Sequence, residues 1–230
     1  MKRFLLNNKL NLIASVFFLL NFISSLYSLI QNFELWQTTS STRSIVFSVL
    51  EIAIFGAIIV FLILKKRIPI VVLIGIRIIL LIVYFFNLFK LVVSSLNNES
   101  YWFAKVYIYE IIGNTLILLT FLSIEWTVVL AIKKSRLINR IWFIPAVVYS
   151  LNLIISIIRP LIFDRSISSI IGTIGIGVLV AAITVISLIA MGLWNKKYVQ
   201  DKLTGDKYLE LLNNDAITQE EYDLLLTKLH

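Results

Sequence analysis

The chain has 230 residues, 59% of them hydrophobic, a formal net charge of +8, no cysteine and a single histidine, the terminal His230. Its mean hydropathy of +0.93 and its apolar share exceed those of water-soluble domains, which are about 45–50% apolar. Disulfides, thiol catalysis, cysteine metal sites and an internal Ser–His pair are therefore excluded.

Six long apolar runs follow one another, near residues 10–30, 44–64, 68–90, 106–132, 141–163 and 168–194. A run of about 20 apolar residues crosses the hydrocarbon core as a helix. No water is available there to satisfy an open backbone, and these runs are too long and continuous for barrel strands. Met1-Lys2-Arg3 ahead of the first run looks like the start of a signal peptide. No small-residue cleavage site follows it, so it reads as a retained span. On span one, Asn21, Ser25 and Ser28 share a helical stripe.

Span two carries Glu51 and ends at Lys65, Lys66 and Arg67. Span three carries Arg77. Span four carries Glu110, Asn114 and Glu125, which fall within roughly 60° of one another around a helix. Lys133, Lys134, Arg136 and Arg140 then lead to span five, where Tyr149, Asn152, Ser156 and Arg159 make another stripe. Pro160 and Asp164 mark the end of that span. Span six is uncharged, and its stripe of Thr173, Gly177 and Ala181 favours close helix packing. Lys196 and Lys197 follow it.

The basic residues thus collect before span one and after spans two, four and six. The remaining gaps hold fewer, mixed with Glu34, Glu99 and Asp164. The positive-inside rule places both termini in the cytoplasm. This periodic placement argues against nucleic acid as the reason for the net charge. The basic loops are suited to hold anionic lipid, at about 1 kcal/mol per charge near the surface.

After Trp194 the composition turns polar, which divides the chain into a membrane domain, 1–195, and a tail, 196–230. Tyr208, Leu209, Leu211 and Leu212 predict a short apolar helix, with a turn at Asn213-Asn214-Asp215. Thr218 and Glu221 form a capping box for a second helix, stapled by Ile217 and Tyr222. Tyr222, Leu225, Leu226 and Leu229 give that helix an apolar stripe. Helices this short are marginal alone, so the tail needs a surface to dock on: a second copy, another protein or the basic loops.

The stretch Leu209-Glu210-Leu211-Leu212, the turn, Ile217-Thr218-Gln219-Glu220-Glu221-Tyr222 and Lys228-Leu229 resembles the SHOCT family of short C-terminal modules of bacterial proteins. The resemblance covers the tail only. It implies oligomerisation or partner contact rather than catalysis. This chain has Asp215 where the family usually has glycine, and Leu225 and Leu226 where it is usually lysine-rich.

Ionisable residues inside spans are costly and point to function. The candidates are Glu51, Arg77, Glu110, Asn114, Glu125, Asn152 and Arg159. Depth along the spans predicts an inner Arg77–Glu125 pair and an outer cluster of Arg159 with Glu51 or Glu110. Three roles stay open for them: interhelical glue, a ligand or ion path, and chemistry. No H-E-x-x-H occurs, no aspartate precedes residue 164, and no P-loop is present. No cofactor and no metal are expected.

The expected fold is an all-α, six-transmembrane-helix bundle with a short cytoplasmic helical hairpin at its C-terminus, in a bacterial cell membrane. The expected function is that of a non-enzymatic accessory, regulatory or immunity protein. Its partners are the bilayer and either its own copies or a protein bound through the tail. A small transporter using the buried polar residues is the alternative, and an intramembrane enzyme the weakest one.

Overall fold

A computed structural model describes residues 2–36, 42–97, 101–162, 167–214 and 216–229. They form eight helices: α1 Lys2–Trp36, α2 Thr42–Ile63, α3 Arg67–Asn97, α4 Tyr101–Ile132, α5 Ile138–Ile141, α6 Ile144–Ile162, α7 Ile167–Asn213 and α8 Gln219–Leu229. There is no strand among the described residues. Six of the helices are long and apolar enough to cross a membrane, which establishes the all-α, six-helix fold expected from the sequence. Many residues of α2, α3 and α7 are β-branched, and these are indifferent helix formers in water. They form helices because a bilayer leaves the backbone no other partner.

The outside is apolar, unlike that of a soluble protein, and polar side chains join the apolar core within. Large apolar side chains such as Leu12, Ile68, Ile79, Phe86 and Leu179 stand exposed on the outside. Ser15, Ser25, Ser48, Asn114, Thr120, Thr127, Asn152, Thr184 and Ser187 are buried. Several inner hydroxyls donate to the carbonyl three or four residues back, as Thr120 does to Leu116 and Thr184 to Val180. They satisfy themselves within their own helix.

The core is aromatic at its centre. Phe17 of α1 meets Phe121 of α4 at 5.8 Å and Tyr149 of α6 edge-on at 5.9 Å. Phe55 of α2 stacks on Phe121 at 6.1 Å. Around this knot α1 packs on α2 and α7, α3 on α2 and α4, and α6 on α4 and α7. Helix α7 is the most enclosed: half of its most apolar window is buried, against 22–33% for the other spans.

Two differences from the expected boundaries have local causes. Span five opens with the short α5 and a turn at Trp142–Phe143 before α6 begins. Pro145 supplies no N–H to continue a helix from α5, but it fits the first turn of a new one. Helix α7 runs unbroken for 47 residues, about 70 Å, so the polar boundary at 195–196 leaves no mark on the backbone. The tail holds helix-favouring residues and no proline, and the separate first tail helix expected at 208–212 is the end of α7.

Candidate functional site

Glu51 and Arg77 meet near mid-span. An Arg77 Nη2–Glu51 Oε1 salt bridge spans 2.8 Å between α3 and α2, and Ser25 on α1 donates to Glu51 Oε2 at 2.9 Å. The guanidinium carbon lies 5.7 Å from the ring centres of both Phe55 and Phe121. The group ties together three spans and the aromatic knot. The expected Arg77–Glu125 pair is overturned. Glu51 precedes, and Arg77 follows, the α2–α3 turn by nearly equal stretches, so they share one height. Successive residues turn by about 100° on a helix, so Gly75 and Arg77 present nearly opposite sides of α3. Gly75 takes the side facing α4: the Glu125 carboxylate lies 3.5 Å from where a Cβ on Gly75 would stand. Glu125 has no salt bridge among the described residues.

Of the expected outer cluster, Glu51 is engaged elsewhere, and the Arg159–Glu110 contact falls outside the described residues. Glu110, Asn114 and Asn152 line one cavity of about 290 Å³ together with Tyr84 and Tyr109. Glu51 is not part of it, being held by Arg77 and Ser25. Asn152 is buried, and its Oδ1 lies 3.6 Å from the Cβ position of Gly113. Asn114 is buried with its amide nitrogen unpartnered. Arg159 belongs to α6 and Leu229 to the end of α8, but their side chains lie outside the described residues.

The basic end of the bundle gathers the start of α1, the α2–α3 and α4–α5 turns, and α8. Both turns close in the same way. Lys66 N–H donates to Phe61 O and Lys65 N–H to Leu62 O; Ser135 N–H donates to Leu130 O and Lys134 N–H to Ala131 O. These are Schellman motifs, with Lys65 at φ 56° and Lys134 at φ 52° in the position glycine usually takes. Lys134 reaches the tail, forming a 2.6 Å ion pair with Asp206. Arg67, first residue of α3, stacks on two rings one turn apart on α7, 4.0 Å from the Trp194 centre and 3.6 Å from that of Tyr198.

Trp142 approaches α7 so closely that a Cβ on Gly192 would overlap its carbonyl oxygen. Helix α8 starts as expected: Thr218 N–H donates to Glu221 Oε2 at 2.9 Å, and Glu221 N–H to Thr218 Oγ1 at 3.3 Å. Glu221 is held below the usual carboxylate range by the Thr218 N–H and hydroxyl donated to it. Tyr222 and Leu226 turn towards α7 and, with Arg67, Trp194 and Tyr198, line a cavity of about 480 Å³. Leu225 is half-buried, and Leu224 is exposed.

The chain matches no protein-family model, no curated protein and no solved structure. Among the described residues no three His, Cys, Asp or Glu side chains come together as they would around a metal ion. The sequence reading missed Arg67, Trp194 and Tyr198 as a unit, although the i, i+4 spacing of the two rings was a usable signal. It also missed the Lys134–Asp206 contact, for which the sequence holds no signal.

Proposed function

We propose that this chain is a non-enzymatic, multi-pass membrane protein of the accessory, regulatory or immunity kind. Both ends lie in the cytoplasm of a bacterial cell, and the tail binds a second copy or a partner protein. The observation that carries this reading is the tail's divided apolar surface. Tyr222 and Leu226 are turned towards α7 and line the cavity there together with Leu209, while Leu224 remains 57% exposed on a segment beyond the polar boundary. Leu224, next to the half-buried Leu225, offers a partner an apolar contact. The SHOCT resemblance of the same tail supports the same role. The test is native mass measurement of the purified chain, alone and after crosslinking in cells. Wild type should form oligomers or a heteromeric complex that Leu224→Lys, a change outside the cavity lining, weakens or dissolves. A monomer in both settings, unchanged by the substitution, would sink the reading. Reporter fusions after Asn97 and after Lys197 test the orientation: the first should read outside, the second inside.

The cavity lined by Glu110, Asn114 and Asn152 favours a second reading, a small solute carrier. A carboxylate and amides converging between spans are suited to a cationic or protonated solute. In proteoliposomes, Glu110→Gln should then abolish proton-linked uptake.

A further inference from the structure

The larger cavity holds an unsatisfied cation. Lys65, Arg67, Lys197 and Lys202 line it, against two carboxylates, Asp201 and Asp206. Asp206 is already engaged by Lys134, so the lining keeps a positive excess. Arg67 is only 7% exposed, yet its Nε and Nη1 atoms have no hydrogen-bond partner. Trp194 and Tyr198 stack against the guanidinium, but its N–H groups point in the plane and still need acceptors. Open donors on a buried cation are costly to leave unmade. Asn11 and Asn195, neighbours in sequence of the lining Leu10 and Trp194, are buried with both amide atoms unpartnered. Of the cavity's own lining, Arg67 is the buried residue with open donors.

We infer that this cavity binds a phosphate group, carried by the headgroup of an anionic phospholipid. Phosphate is the acceptor that a guanidinium and clustered ammonium groups recognise best. The place fits a headgroup: Leu10 opens span one, Arg67 opens span three, and Trp194 closes the apolar part of span six, so the cavity lies at the membrane–water boundary. Its volume of about 480 Å³ far exceeds the roughly 30 Å³ of one water. It has room for a phosphodiester and its glycerol. Tyr222 and Leu226 of α8 form one wall, so the lipid would also hold the tail in place. The inference rests on the cavity and not on the identity of any protein partner.

The test uses the full chain in nanodiscs of phosphatidylcholine with and without phosphatidylglycerol, followed by native mass spectrometry of the retained lipid. Wild type should retain phosphatidylglycerol over phosphatidylcholine. Lys197→Gln with Lys202→Gln should reduce that retention roughly five- to thirtyfold, as expected for one to two surface charges. Arg67→Lys should reduce it further; should that variant fail to fold, the lysine pair decides. Arg136→Gln with Arg140→Gln, at the other basic turn and in α5, outside the cavity lining, should reduce retention far less. Inorganic phosphate at millimolar concentration should not displace the lipid; displacement would make a soluble phosphate compound the ligand in place of the lipid. Equal retention of both lipids, or equal losses in the two pairs of variants, would overturn the proposal.

Discussion

Arg77 reaches from α3 to Glu51 on α2 at 2.8 Å, a salt bridge between two spans. It also receives Phe55 and Phe121 at equal distance. Breaking such a buried pair strands one charge and costs about 3–5 kcal/mol, whereas replacing both partners can be nearly neutral. Arg77→Leu should therefore lower yield and thermal midpoint sharply. Glu51→Leu in the same chain should restore much of both, and Glu125→Leu should restore neither. Equal rescue by the two glutamate substitutions would disprove the pairing.

Gly192 and Gly56 make a matched contrast. A Cβ at Gly192 collides with the Trp142 backbone, whereas one at Gly56 meets only the Phe22 ring at 3.5 Å. Gly192→Ala should destabilise by about 1–3 kcal/mol through overpacking, and Gly56→Ala should be tolerated. Thermal unfolding in detergent, followed by tryptophan fluorescence, separates the two outcomes.

The Glu221 carboxylate is held below its ordinary range by the Thr218 N–H and hydroxyl. A depressed folded value means that the cap's contribution is fully present above the ordinary glutamate range. It is lost as pH falls through the lower, folded value. Hydrogen exchange of α8 amides should stay slow, after correction for intrinsic rates, from neutral pH down to mildly acidic pH and then accelerate. Glu221→Gln should flatten that step. A step unaltered in the variant would assign the acid sensitivity to another group.

Lys65 holds a left-handed conformation at φ 56°, which costs an L-residue on the order of 1–3 kcal/mol. Lys65→Gly should raise the thermal midpoint while removing one charge from the cavity wall. Loss of stability instead would mean that the lysine side chain holds the turn.

The spans, the loop charges and the Thr218–Glu221 cap were legible because each depends on residues close in sequence. Hydropathy needs one run, and a capping box needs four residues. The partner of Arg77 was not legible. It depends on which side of α3 faces α2, and this is decided by Gly75 making room for Glu125. The separate tail helix expected at 208–212 is part of α7 for a related reason: composition reports the solvent around a helix, not whether the backbone stops. Arg67 looked like one more loop charge, and only the fold brings it between Trp194 and Tyr198.

Helix α7 runs unbroken from the aromatic core into the tail. No proline interrupts it, and Gly192, a place where it could have bent, is pinned against Trp142. The cytoplasmic end of α7, which Lys134 holds at Asp206, and the buried stretch around Thr184 and Ser187, packed among α1 and α6, are therefore parts of one continuous helix.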